Sequence, residues 1–317
     1  VLAHACGNGR GNGLHVLESR RLISQDQRER SIMSDTRLNS IIRAFESGKT
    51  AYTAFSKLDR QSAIEMTDAP YNGIVFEMEH NPYDVTALGD ALQYMLNRKQ
   101  IAESGSVAPR VTPIARIPAN GAEMNQAFAK QVLDRGAYGV VWPHVSTVEQ
   151  AYNAVASCRY ARPKTAPLYE PKGARGDGPA TAARYWGLSM ADYYRKADVW
   201  PLAPEGEILV GLMCESTEAI ENLDDILSNV PGIGFILIGE GDLSQQLGHP
   251  RDYEHPEVAD AIRRIVETCH KHKVVVGNPH VNAKNHERLL EEGYRFLMSA
   301  PLKSYGVVGK AREVAGY

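Results

Sequence analysis

Short, unbroken apolar runs recur along the chain, separated by longer segments in which apolar residues return every three or four positions. The runs are TAYTAF (50–55), GIVFEME (73–79), VTPIARIP (111–118), YGVVWP (138–143), ILVGLMC (208–214), FILIG (235–239), VVVG (274–277) and YRFLMS (294–299). None alternates polar with apolar residues, so each is expected to be a strand buried on both faces, as in a parallel sheet. The segments with helical period include LNSIIRAFE (38–46), stopped by Gly48, and VTALGDALQYML (85–96). NQAFAKQVLDRG (125–136), VEQAYNAVASCRY (148–160), PEVADAIRRIVETCHKH (256–272) and AKNHERLLEEG (283–293) follow, and LKSYGVVGKAREVA (302–315) is read as a last helix. Residues 161–207 show no sustained period and read as irregular. Eight strand–helix units in about 280 residues predict an α/β fold, a (β/α)8 TIM barrel. An open doubly wound sheet fits less well, because no GxGxxG follows the first strand.

In such a barrel the chemistry gathers at the C-terminal ends of the strands. The polar residues expected there are Glu77, Glu79 and His80, then Arg116, His144, Glu215, Asp242, Asn278, His280 and Ser299. Glu215 and Asp242 end successive apolar runs, which would set two carboxylates side by side at one rim. Buried charge of one sign calls for a partner, and a hard divalent cation with oxygen ligands is one. Taken singly, each of these residues also reads as a solvated loop group; their convergence favours an active site.

Composition narrows the alternatives. With 43% hydrophobic residues and a net charge of −3, the chain is of ordinary globular type, and it lacks a basic, aromatic-interleaved block for nucleic acid. No apolar run approaches the roughly 20 residues that a membrane helix requires. Cys6, Cys158, Cys214 and Cys269 form no CxxC pair, which argues against structural zinc or a disulfide framework and fits a reducing, cytoplasmic setting. Residues 1–32 are Gly- and Asn-rich, then charged without an apolar face, and are expected to be a disordered extension. Residues 33–317 are expected to form one domain, starting at Met33-Ser-Asp-Thr, with Asp35 or Thr36 capping the first helix.

Three blocks, FEMEHNP (76–82), LMCESTEAIENL (212–223) and FILIGEGDLSQQLGHP (235–250), resemble the HpcH/HpaI family of class II, metal-dependent pyruvate aldolases. That family includes the 2,4-dihydroxyhept-2-ene-1,7-dioate and 2-dehydro-3-deoxyglucarate aldolases. ARIP (115–118), RYARP (159–163), GARGDGPA (173–180) and HPEVADAI (255–262) support the likeness, which covers roughly Leu38 to Gly306. It implies a barrel of the phosphoenolpyruvate/pyruvate-binding type, with its last helix exchanged between subunits of a homo-oligomer, usually a hexamer. It also implies a divalent cation, Mg²⁺, Mn²⁺ or Co²⁺, held by Glu215 and Asp242. By the same likeness, a 4-hydroxy-2-oxo acid is cleaved reversibly to pyruvate and an aldehyde through a pyruvate enolate stabilised by the metal and Arg116. Backbone N–H groups of Gly241 and Asp242 would bind the substrate carboxylate, Met213 would flank it, and His80 would take the C4 hydroxyl proton with Glu77 beside it.

Departures from the family pattern are Glu77 in place of Asp, Met213 in place of Gln, and Glu240 in place of Pro. Insertions at Lys164–Lys172 and Trp200–Glu207 are expected near the rim, on the aldehyde side of the pocket, while Arg175 and Asp177 are expected to have a structural loop role. Two other enzymatic readings keep the enolate chemistry: oxaloacetate decarboxylation of the macrophomate synthase kind, and acyl-CoA lysis. The second lacks a recognisable basic and aromatic CoA site. A non-catalytic 2-oxo-acid-binding barrel is the third alternative, resting on Glu77 and Met213.

Overall fold

The computed structural model describes residues 37–119, 121 and 124–299. They belong to a compact unit that begins at Arg37. The expected N-terminal extension, residues 1–32, and the expected last helix, 302–315, lie outside the described residues.

The strands are β1 (Ala51–Ser56), β2 (Gly73–Glu77), β3 (Thr112–Arg116), β4 (Gly139–Trp142), β5 (Val199–Trp200), β6 (Ile208–Cys214), β7 (Phe235–Ile238), β8 (Val275–Val281) and β9 (Phe296–Ser299). All pairings are parallel, in the order β4-β3-β2-β1-β9-β8-β7-β6, and β4 pairs with β6 to close the ring. Eight of the nine are the eight apolar runs; the barrel expected from the sequence is the fold. The ninth, β5, lies beside the first residues of β6, with Val199 opposite Ile208. A two-residue strand carries too little periodicity to be read in advance. The same holds for the short helices Arg98–Ser104, Ala180–Trp186 and Met190–Lys196, the last two inside the region read as irregular. No helix among the described residues is long and apolar enough to cross a membrane.

Which strand positions face the axis is shown by two glycines. A side chain on Gly211 would run into the ring of Phe235, and one on Gly277 would meet Phe296. Those two rings stack at 4.1 Å between centroids, filling the lower barrel. Because successive strand residues point to opposite faces, Met213 and Glu215 share the inner face with Gly211, and Asn278 turns outward beside Gly277.

The N-terminal mouth is closed by the helix Ser40–Glu46. Its cap is Asn39, whose side chain accepts from the N–H groups of Ile41 (3.0 Å) and Ile42 (3.2 Å), not Asp35 or Thr36 as expected. Asn39 is chosen because the carboxylate of Glu207 lies there, accepting from the N–H groups of Leu38 and Asn39 at 2.9 Å each. Glu207 is fully buried and also meets Lys196 Nζ at 3.3 Å.

This position corrects the expectation for the insertions. Glu207 immediately precedes β6, so Trp200–Glu207 lies at the bottom of the barrel, opposite the C-terminal ends of the strands. Lys164–Lys172 also lies at the bottom, because the helix Val148–Ser157 runs back down from the top of β4. There Arg159 binds both Asp198 oxygens through Nε and Nη2 (2.7 and 3.0 Å) and donates to the carbonyls of Leu168 and Pro171. Arg175 is likewise a buried structural residue, bonded to Asp134 and Tyr193, and Asp177 accepts from Tyr194.

Glu207→Ala leaves two buried N–H groups without their acceptor. It is expected to cost about 3–5 kcal/mol of stability, read from urea unfolding curves.

Candidate active site

At the top of the barrel, inward-facing side chains from neighbouring strands meet. Arg116, at the end of β3, donates through Nε to Glu77 Oε2 at 2.6 Å, with a second contact from Nη2 to the same oxygen. Its Nη1 lies 2.9 Å from Glu79 Oε2 and 3.7 Å from the Met213 sulfur. The Phe55 ring supports the guanidinium from one side, at 4.5 Å. Two carboxylates and an aromatic face thus hold one planar cation in a single orientation.

Glu77 does more than pair with Arg116. Its Oε1 accepts from the backbone N–H groups of Glu79 (2.8 Å) and His80 (3.0 Å), fixing the turn that leaves β2. The His80 ring itself is mostly exposed, and the carboxylate nearest to it is Glu79, with Nε2 to Oε2 at 3.6 Å. The expected pairing of His80 with Glu77 therefore runs through the backbone, and the side-chain partner is Glu79.

Glu215, at the top of β6, is almost completely buried. Its Oε1 accepts from the His144 N–H at 2.5 Å and lies 3.5 Å from His144 Nδ1. His144 adopts a left-handed backbone (φ 52°), which aims both its N–H and its ring at Glu215. His144 Nε2 also lies 3.8 Å from Glu79 Oε1, joining the two acidic clusters. Gly239, at the end of β7, passes so close to Glu215 that any side chain there would strike the carboxylate. Asp242 follows in the first turn of the helix Glu240–Gln246. Ligand atoms of His144, Glu215 and Asp242 all lie within 4.8 Å of one another.

The electrostatics explain what this group lacks. Burial pushes the Glu215 carboxyl above its ordinary range; His144 opposes the shift, and Glu79 and Asp242 add to it. Burial raises Glu79 as well, against the pull of Arg116. The mouth thus holds two acids, Glu77 and Glu79, on the Arg116 guanidinium and two more, Glu215 and Asp242, around His144. Carboxylate oxygens with an adjacent imidazole are a donor set for a divalent cation, with room left for substrate oxygens. A side chain at Gly241 would meet nothing within 4 Å, leaving open space over the first turn of its helix.

Three expected rim residues stand at their strand ends but bond groups outside this cluster. Asn278 and His280 turn to the outer face, where both bond the Glu240 carboxylate at 2.7 Å. Those two bonds give the Glu240 carboxylate its partners on the outer face, in the turn that carries Asp242. Ser299 bonds the Tyr71 hydroxyl at 3.0 Å. Strand alternation turns Asn278 away from the axis, and His280, two residues further along β8, falls on the same side. Conversely, Glu79 and His144 belong to the site but received no role from the sequence. Their place at strand ends was legible; their partners were not.

The profile of the family described as HpcH/HpaI aldolase/citrate lyase matches residues 52–300. A 5-keto-4-deoxy-D-glucarate aldolase from Enterobacter sp. (strain 638) is 30% identical over 204 residues, covering 64% of this chain and 67% of that protein. A 2-keto-3-deoxy-L-rhamnonate aldolase from Klebsiella pneumoniae subsp. pneumoniae is 32% identical over 229 residues, covering 72% and 73%. Among solved structures, an HpcH/HpaI aldolase/citrate lyase family protein from Burkholderia cenocepacia J2315 superposes with a TM-score of 0.68 at 22% identity, covering 88% of this chain and 98% of that one.

The raised carboxyls give a pH signature. Without added cation, the folded state holds protons on Glu79 and Glu215 above the ordinary value of 4.5, where the unfolded chain has released them. Stability is therefore lost as pH rises through the window between 4.5 and the raised values. In EDTA, Glu215→Gln is expected to melt higher than the parent at neutral pH and to respond less to pH. Added Mn²⁺ should raise the melting temperature of the parent and leave that of the variant in place.

Proposed function

The chain belongs to the HpcH/HpaI aldolase/citrate lyase family, and on that footing we propose that it reversibly cleaves a 4-hydroxy-2-oxo acid to pyruvate and an aldehyde. The observation that carries this reading is the cluster of Glu215, Asp242 and His144, linked through His144 to Glu79 and so to a guanidinium oriented by two carboxylates. The names of the relatives favour a keto-deoxy sugar acid as substrate. A homo-oligomer, hexameric in the family pattern, belongs to the same proposal.

Glu215 and Asp242, with His144 beside them, would hold the divalent cation, Mg²⁺, Mn²⁺ or Co²⁺. Bound there, the cation would polarise the 2-oxo group as a Lewis acid. The chain's own residues supply the rest. The N–H groups of Gly241 and Asp242, in the first turn of a helix, have no intrahelical acceptor and would receive the substrate carboxylate. Open space at Gly241 allows that approach. Arg116 would donate to the C2 oxygen; its fixed fork is in place before charge develops, so little reorganisation is needed. The Met213 thioether, 3.7 Å from Arg116 Nη1, offers an apolar flank where a polar side chain would compete for that donor.

Cleavage then requires a base at the C4 hydroxyl. His80 is exposed at the mouth and borders Glu79. Its imidazole would take the hydroxyl proton as the C3–C4 bond breaks. The C4 oxygen becomes the aldehyde carbonyl, and the bonding pair moves to give the enolate, whose C2 oxygen would face Arg116 and whose C3 would take a proton from water to give pyruvate. The same His returns a proton in the condensation direction.

The test is pyruvate release from 4-hydroxy-2-oxo acids, expected to stop in EDTA and to return with Mg²⁺ or Mn²⁺. His80→Ala should lower kcat by about 10²–10⁴-fold, with Mn²⁺ affinity nearly unchanged. Arg116→Ala should lower kcat/KM by about 10²–10³-fold. Oxaloacetate decarboxylation without any aldol cleavage would overturn the assignment, as would full turnover in His80→Ala.

A further inference from the structure

A second donor set, of different chemistry, lies where the loop that leaves the Asp242-bearing helix enters the helix Pro256–His272. His249, His255 and Glu257 each place a ligand atom within 4.8 Å of the others. His249 Nε2 is 3.1 Å from Glu257 Oε2, and the rings of His249 and His255 stack with centroids 3.3 Å apart. We propose that these three residues form a binding site for a transition-metal ion, Zn²⁺ foremost, separate from the carboxylate-rich mouth of the barrel.

The local chain is built to bring the two imidazoles together. Asp252 N–H donates to the His249 carbonyl (3.0 Å) and His255 N–H to the Asp252 carbonyl (3.3 Å), two successive turns across which the histidines meet. Arg251, between them, takes a left-handed backbone (φ 60°). The base of the loop is tied to Ser244, which receives the N–H of His249 on its carbonyl and that of Arg251 on its hydroxyl. The backbone beneath the donors is therefore fixed, while the side chains are part-exposed and reachable.

Two imidazoles and a carboxylate are a common three-ligand zinc set, which leaves a fourth position open. Imidazole nitrogen favours Zn²⁺, Cu²⁺ and Ni²⁺, whereas the oxygen-rich mouth suits Mg²⁺ and Mn²⁺. Binding needs one adjustment. An ion cannot lie in the planes of two stacked rings, so the His249 ring must turn off its neighbour. His255 must also release the 3.3 Å bond that its Nδ1 accepts from the Glu257 N–H, which water at the helix start can replace. The positive end of the helix Pro256–His272 opposes a cation there, and the Glu257 carboxylate in its first turn offsets that effect.

The test is calorimetric titration of the EDTA-stripped, then dialysed, full chain with ZnCl₂. His249→Ala is expected to bind one equivalent fewer than the parent, or to bind that equivalent at least tenfold more weakly. MgCl₂ should produce no His249-dependent heat. In the Glu215→Gln background the His249-dependent equivalent should persist, which separates this site from the catalytic one. His255→Ala should lose the same equivalent, but it also removes a helix cap; His249→Ala, checked by an unchanged melting curve, is the deciding variant. Zinc stoichiometry and affinity unaffected by His249→Ala would overturn the proposal.

Discussion

Burial of Glu215 at the top of the barrel is the constraint on which the upper half of the molecule depends. A carboxylate so enclosed must be compensated, and the surroundings only begin to do so: the His144 N–H reaches it, while Glu79 and Asp242 work against it. Gly239 has to be glycine because Glu215 fills the space a side chain would need. His144 takes a left-handed backbone at the same point. Local geometry on three strands is thus bent around one acid that the protein alone leaves under-compensated.

The lower half shows the opposite solution to the same problem. Glu207 is as deeply buried, yet two backbone N–H groups and Lys196 surround it. Asp198 is held at both oxygens by Nε and Nη2 of Arg159. Acids at the bottom are matched within the chain and fasten the plug helix and the long connection after β4. Acids at the top exceed their partners. This asymmetry matches stability at one end of a barrel and chemistry at the other, because a group already satisfied by protein donors has little left for a ligand.

Arg116 links the two ideas. Pinned by Glu77, Glu79 and Phe55, it gives the mouth a cation whose direction does not depend on substrate. Glu77 also braces the turn that carries Glu79 and His80. The longer Glu at position 77 therefore serves as a bracket between β2 and β3, with its charge spent on Arg116 and the backbone, and Glu79 is left as the acid beside the two histidines.

Much of this was decided by the order of residues alone. Eight apolar runs without alternation require strands covered on both sides, and helical segments between them require parallel pairing, so the barrel follows from pattern. Glu215 and Asp242 could be placed side by side because consecutive strands of such a barrel are neighbours. What the sequence could not determine depended on direction and partner. Whether Asn278 and His280 face the axis is a matter of one-residue alternation along β8. That Trp200–Glu207 lies beneath the barrel depends on which end of β6 it enters. The choice of Glu79, over Glu77, as the neighbour of the His80 ring was made by two backbone N–H groups that claim the Glu77 oxygen first. Pattern carries burial and order along the chain; only packing in three dimensions assigns each charge its partner.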